Sequence, residues 1–473
     1  MNFKKGTITL ILGWVSLPVT GYVFNIWLAR NFEPEIYGVY GLVISMLIWL
    51  QIFVITGLPH SVQKFVSSDE QNAYSILWTT VCIQLVVAVC LFIIVFFATP
   101  LLARLFHDRR LILYCRVAFL QLLFYGFFHL LVAFQNGLRR FGKQATLLII
   151  YSLSKLGFVF LLVYLFRSIM GAFLAHSAGA VVGLAVGILF LKEKMKQPFY
   201  DMRKLIRFAI PTLLYSLMIT FLLYIDLWVV RYFLEDKICG FFVASSNIAR
   251  IPYFLVVGLS ATVLPTVSRR LASGALNRVR STIEFSIRFF ILMVVPIGIL
   301  IMMFSRDIMT ILYSSAYSSG GPILSVLIWG VILIAFLYLL TTIIIADNRP
   351  KIAFSIAVVA VVLDVLFNIL LVPKYGAVGG ALSTTIAAGV TTSIAMVYVY
   401  RRFRVLVHLK SLLRIGTAGI LILAGGKIVD VHGFSIIWLI FFGFFCYGLL
   451  LFLFGEIQMG DLREFFTEKE RSG

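Results

Sequence analysis

In a chain of 473 residues of which 13% are charged, charges standing alone inside long apolar runs are the first candidates for chemistry. There are four: Lys155 within 144–166, Asp226 within 208–230, Arg250 within 238–264 and Asp364 within 352–373. On insertion scales such a charge at a membrane helix centre costs about 2.5–3.5 kcal/mol, so it faces a cavity, a partner or a ligand. Arg250 carries a planar guanidinium whose fork matches phosphate oxygens. Ser246 and Asn247 share its helix face. Arg250 and Asn247 are therefore expected to contact an anionic group.

Lys155 lies about 16 Å from either end of its run at about 1.5 Å per residue, too deep to snorkel, and would add a second point of positive charge. Asp364, with Asn368 one turn on, and Asp226 are expected to take up a coupling proton or cation. His60 and Lys64 sit at the inner end of the second run, where a head group would arrive; Asn25 is a polar candidate on the first. Each has a plainer reading, a salt bridge or a carbonyl contact inside a helix bundle. His129 and His176, single on apolar helices, read as bundle residues.

The elements that would position these residues are membrane helices. Hydrophobic residues make up 61% of the chain and the mean hydropathy is +1.03, far above the soluble norm of about 45–50% apolar. The apolar runs are continuous rather than alternating, which selects helices over a barrel. With about 20 residues needed per crossing, the runs give an all-α polytopic chain of about fourteen spans. Tyr313–Pro322 reads as a loop. The net charge of +20 points to basic inner loops and anionic membrane lipids rather than nucleic acid. The five cysteines stand singly, with no CxxC pair, so neither a metal site nor a disulfide framework is indicated. No P-loop, dinucleotide fingerprint or G-x-S-x-G elbow is present, and the loops are too short for a catalytic domain, so the chain is not expected to be an enzyme.

With Met1 inside, inner loops hold 26 Lys/Arg against about 11 outside, which places both termini in the cytoplasm. The segment 100–110 has helical apolar spacing and is expected to lie flat on the outer surface. An internal repeat organises the chain. Lys143 and Lys351 lie 208 apart in similar basic loops, and Gly171-Ala172 resembles Gly380-Ala381 at 209. Trp27-Leu28-Ala29-Arg30 resembles Trp228-Val229-Val230-Arg231 at 201, each followed by a glycine, Gly38 and Gly240. Six spans per repeat is even, so the two lobes share one topology about a pseudo-two-fold axis along the membrane normal. The expected domains are a six-helix lobe over 1–198, a second over 199–406, and two further helices with a tail over 407–473. At an offset of 209 Lys155 stands opposite Asp364 in the repeat.

The motifs within this layout resemble a known family. Arg30-Asn31-Phe32-Glu33-Pro34-Glu35-Ile36-Tyr37-Gly38 and Gly57-Leu58-Pro59-His60-Ser61-Val62-Gln63-Lys64-Phe65 are similar to patterns of the polysaccharide-biosynthesis flippases. So are Ile210-Pro211-Thr212-Leu213 and Lys374-Tyr375-Gly376-Ala377-Val378-Gly379-Gly380-Ala381. The resemblance spans the whole chain and falls in the oligosaccharidyl-lipid branch of the multidrug/oligosaccharidyl-lipid/polysaccharide exporter superfamily, with its O-antigen and stage V sporulation types. It implies a flippase carrying a polyprenyl-diphosphate oligosaccharide to the outer leaflet of the cell membrane, with no cofactor beyond a coupling Na+ or H+. It also implies cooperation with a polysaccharide polymerase or glycosyltransferases. In the lipid II flippases that resemble this chain, arginines on early-half and eighth helices line the central cavity, which favours Arg250 on the eighth. A cation-coupled multidrug exporter is the alternative on the same fold, and a membrane glycosyltransferase or polysaccharide ligase a further one.

Overall fold

A computed structural model describes residues 3–191, 198–405, 409–426 and 435–456. Lys192, Lys194 and Lys196 of the basic linker, the start of the last expected span and the tail after 456 lie outside the described residues. Every regular element among the described residues is helical. The first are α1 (Phe3–Asn31), α2 (Pro34–Ile55), α3 (Gly57–Ser68), α4 (Ala73–Leu105), α5 (Arg110–Phe119) and α6 (Gln121–Gly137). Then come α7 (Phe141–Phe166), α8 (Met170–Leu189), α9 (Met202–Leu222), α10 (Ile225–Phe233), α11 (Asp236–Ala249) and α12 (Ile251–Ala272). The chain continues through α13 (Leu276–Met303), α14 (Ser305–Leu312), α15 (Gly321–Ala346), α16 (Pro350–Phe403), α17 (Leu409–Gly426) and α18 (Ser435–Leu453).

Eleven helical stretches are long and apolar enough to cross a membrane, and the protein is a multi-pass membrane protein. The longest, α16, has 54 residues and is broken at Gly376, whose φ of 61° and ψ of −146° lie outside any helix; only glycine takes that conformation at little cost. α17 and α18 contribute shorter apolar segments after it.

Breaks inside the spans follow from sequence. α2 ends and α3 begins around Thr56, immediately before Gly57-Leu58-Pro59, where Pro59 has no N–H to give the preceding turn. α11 gives way to α12 at Arg250, two residues before Pro252. Where helices lie close, glycines let them: a Cβ at Gly13 would stand 2.8 Å from the Ala145 Cα, and one at Gly179 2.9 Å from the Lys155 Cβ. Small residues take this role in membranes because packing, rather than a hydrophobic drive, holds helices together there.

The chain forms two compact units, Met1–Val243 and Ala244–Gly473. The first is cored by Phe24, Tyr37, Tyr40, Phe119, Phe128 and Phe173, all fully buried. Large apolar side chains on the outside, such as Phe97, Tyr164, Trp438 and Phe441, are suited to lipid. Two expectations change. Residues 100–105 continue α4, and the chain turns before α5 starts at Arg110, so the apolar spacing there belongs to the last turns of a span. Tyr313–Pro322 contains a 3-10 helix, Ser315–Gly320, rather than open loop.

Candidate functional site

In the first unit, α3 presents His60 and Lys64 one turn apart, both exposed. The helix is seated on α9, where a Cβ at Gly57 would lie 3.1 Å from the Ala209 carbonyl oxygen. Ser61 Oγ donates to the Leu205 carbonyl at 3.0 Å. The Lys64 ammonium stands over the Phe208 ring, 4.0 Å from its centroid. An imidazole, an ammonium and an aromatic face are thus displayed together.

Asn25 is tied into its surroundings: its amide donates to the Gly21 carbonyl at 2.8 Å and its oxygen accepts from the Tyr37 hydroxyl at 3.2 Å. Asp226, 3% exposed, opens α10, where its Oδ1 accepts the Leu227 N–H at 2.7 Å. Unbonded N–H groups and the helix dipole favour a carboxylate at that end. Lys155 is buried at mid-helix on α7, its ammonium 5.5 Å from the Tyr151 ring centroid. It makes no ion pair and no hydrogen bond among the described residues.

In the second unit, Arg250 is half-buried at the junction of α11 and α12 rather than within a continuous helix. Its N–H still bonds back to the Ser246 carbonyl at 3.1 Å, and its own carbonyl accepts from Tyr253 at 3.1 Å. The missing N–H of Pro252 leaves the helical carbonyl four residues back without its usual donor. Ser246 Oγ is buried with no hydrogen-bond partner among the described residues. Asn247 is half-buried on the same stretch.

On α16, Asp364 and Asn368 are fully buried. The Asn368 amide donates to the Asp364 carbonyl at 2.9 Å and to its Oδ1 at 3.0 Å. This leaves Asn368 Oδ1 as a buried acceptor with no partner among the described residues. A carboxylate beside an amide oxygen is an oxygen-only donor set of the kind that takes Na+, or a proton on the carboxylate.

The structure thus groups His60 with Lys64, Arg250 with Ser246 and Asn247, and Asp364 with Asn368. It also reveals groupings that were not expected. Arg110 binds Asp108 through Nη2 at 2.9 Å and Asp236 at 2.6 Å, and Arg231 binds Asp236 at 2.5 Å. Burial pushes the Asp108 carboxyl up, but the Arg110 hydrogen bonds and the Arg110 and Arg231 charges outweigh it and hold it below the usual range. Beside this cluster α2 crosses α11 at their glycines. A Cβ at Gly38 would run into the Asp236 carbonyl, and one at Gly240 into the Pro34 carbonyl. Gly38 and Gly240 are 202 apart, and so are Pro34 and Asp236, so the crossing has local two-fold symmetry built from the repeat. The paired glycines were a sequence signal for it; nothing in the sequence pointed to the four charges.

Residues 3–271, more than half of the chain, match the sequence model of the polysaccharide biosynthesis protein family. The chain belongs to that family. A second match, to MatE, covers 211–370. Among relatives, the chain is 27% identical over 264 residues to a probable low-salt glycan biosynthesis flippase, Agl15, of Haloferax volcanii, a match covering 56% of each chain. The chain thus spans just over half the length of that relative. Among solved structures, it resembles the lipid II flippase MurJ in an inward closed conformation at 15% identity and TM-score 0.77, over 98% of this chain and 99% of that one. An inward-facing multidrug-resistance MATE transporter matches at 15% identity and TM-score 0.73, over 84% of this chain and 98% of that one. These likenesses establish the fold, which the two kinds of transporter share.

Proposed function

We propose that this protein is a flippase that carries a lipid-linked oligosaccharide, borne on polyprenyl diphosphate, to the outer leaflet for cell-surface polysaccharide synthesis. The observation that carries this is the polysaccharide-biosynthesis match over 3–271; Agl15, named for glycan biosynthesis, supports it. The chemistry agrees. Arg250 offers a bidentate fork to a diphosphate, with Asn247 and the unpartnered Ser246 hydroxyl beside it. His60 and Lys64 receive the head group from the cytoplasmic side, and Lys155 adds positive charge. Asp364 with Asn368, or Asp226, takes the coupling Na+ or H+. Transport proceeds by alternating access, in a cell membrane with both termini cytoplasmic, between glycosyltransferases that build the glycan and a polymerase that uses it. The MatE match over 211–370 favours a second reading, cation-coupled multidrug export.

The test is translocation of a fluorescent polyprenyl-diphosphate oligosaccharide in proteoliposomes. Charge-assisted hydrogen bonds contribute about 1.5–3 kcal/mol, so Arg250→Ala should lower the apparent affinity about tenfold to a hundredfold. Arg250→Lys should recover only part, having lost the fork. Export of cationic drugs by a preparation that leaves the glycolipid in place would select the second reading.

A further inference from the structure

Four arginines crowd the turn from α4 to α5: Arg104, Arg109, Arg110 and Arg116. This end of the hairpin is expected to lie outside, where Lys and Arg are disfavoured. Arg110 is accounted for by Asp108 and Asp236. Asp108 is the one acidic residue between Arg104 and Arg116, and it also serves Arg231. Arg104, Arg109 and Arg116 have no carboxylate partner among the described residues. The first two are exposed and Arg116 is half-buried.

Arg116 is held so that part of its guanidinium is used and part is not. Its central carbon stands 4.3 Å from the ring centroid of Phe96 on α4, a cation–π contact. Thr99 donates its hydroxyl to the Phe96 carbonyl at 2.8 Å and accepts from Arg116 Nε at 3.2 Å. The terminal Nη groups have no acceptor among the described residues, and neither is shut in by packing. The side chain is therefore braced from behind with its fork open. Arg109 adopts helical φ and ψ at the head of α5, so Arg109, Leu113 and Arg116 lie along one face of that helix. Leu113 is 57% exposed and Phe97, next to Phe96, 74%; in a membrane span that exposure is to acyl chains. Arg116 stands about 9 Å inside the start of α5 at about 1.5 Å per residue, against a head-group layer of about 5–8 Å. The fork is thus at the boundary between head groups and hydrocarbon.

A ligand for this place must be anionic, offer paired oxygens to the fork and carry an apolar chain. We propose that the turn end of α4 and α5 is a binding site for an anionic membrane phospholipid. Arg116 takes the phosphate through its Nη groups, Arg109 adds charge from the water side, and the acyl chain lies on Leu113 and Phe97. Phosphate oxygens match the guanidinium fork, and basic pockets between membrane helices are a general means of holding lipid head groups. The occupant comes from the bilayer, because the fork opens beside side chains that face lipid. The site belongs to the first unit alone and does not depend on what the protein carries.

Native mass spectrometry of the full chain in detergent, titrated with dioleoyl phosphatidylglycerol, tests this. The affinity for the first bound lipid should fall about tenfold to a hundredfold in Arg116→Ala. It should fall less in Arg116→Lys, which keeps the charge without the fork. Arg109→Ala removes an exposed side chain with no partner among the described residues, so it should melt like wild type in lipid-free detergent and still lose affinity several-fold. Dioleoyl phosphatidylcholine should bind wild type several-fold more weakly. Equal phosphatidylglycerol affinity in wild type, Arg116→Ala and Arg109→Ala overturns the site, and equal affinity for the two lipids overturns its preference for an anion. Farnesyl diphosphate at equal concentration should leave the bound lipid in place. Displacement of the lipid would overturn the phospholipid as occupant and give the fork to the diphosphate of a carried substrate.

Discussion

Asp108 shows how strongly one carboxylate can be held between an arginine two residues on, Arg110, and a second from α10, Arg231. It is 7% exposed in its side chain, with Arg231 at 11% and Arg110 at 52%. Burial alone would raise its pKa, and the Arg110 hydrogen bonds with the two positive charges reverse that. A carboxyl depressed in the folded state stabilises above its unfolded pKa of about 3.9, and the benefit disappears as pH falls through the lower folded value. Asp108→Asn should therefore cost on the order of 1 kcal/mol, discounted for the exposure of Arg110. In thermal unfolding in detergent, the gap between wild type and variant should be constant above about pH 5 and close as the wild-type carboxyl is protonated. A gap unchanged down to the lowest pH tolerated would assign the effect to packing instead of charge. Glu456 follows the same logic in the second unit: burial pushes its carboxyl up, and Ser411, Arg288 and Arg414 bring it below the usual range.

At the scale of elements, the α2–α11 crossing makes the sharpest demand on residue type. Each glycine faces a backbone carbonyl of the other helix rather than a flexible side chain, so a methyl group must push the helices apart. Overpacking of this kind costs about 1–3 kcal/mol. Gly38→Ala and Gly240→Ala should each destabilise by that order. The double variant should cost little more than either, because one separation relieves both clashes; thermal unfolding of the four proteins measures the coupling. Full additivity would mean that the two contacts are independent. Much of this level was legible in the sequence. The helical class and the glycine pair follow from residue type, whereas the breaks beside Pro59 and Pro252 fall inside runs that read as single spans. The burial of Lys155, Asp226 and Asp364 follows from their isolation in apolar runs. Their partners did not. Tyr40 bonds His176 across 136 residues and Arg110 bonds Asp236 across 126, and side-chain pairing at such separations leaves no periodic trace. The helical spacing of 100–110 suggests a surface segment, yet 100–105 continue α4, because hydrophobic periodicity does not say where a span stops.

For the whole molecule the consequential property is sidedness, since the proposed flippase would have nothing to load if its head-group site stood on the wrong face. The excess of Lys and Arg, 26 against about 11, predicts that the α3–α4 and α15–α16 turns lie inside and the α1–α2 and α7–α8 turns outside. Glu33 and Arg167 are exposed in the latter two turns, and Glu70 and Asn348 in the former two. With the five native cysteines replaced by serine or alanine, Glu33→Cys and Arg167→Cys should react with a membrane-impermeant maleimide on intact cells. Glu70→Cys and Asn348→Cys should react only after permeabilisation. The positions sample both units, so a mixed pattern would contradict parallel repeats, while complete reversal would contradict the orientation alone. The expected pattern puts His60 and Lys64 on the cytoplasmic side, where the proposed substrate would be loaded. It also puts the Asp108–Arg110–Arg231–Asp236 cluster on the outer side, together with the glycine crossing. If the outer side opens by rocking apart at this crossing, these charge pairs break and α2 separates from α11. Variants that weaken either feature should consequently label faster at positions deeper along α2, such as Ser45→Cys, whose wild-type side chain is buried. Unchanged labelling there in Gly38→Ala would mean that this contact is fixed and that access to the outer leaflet opens elsewhere.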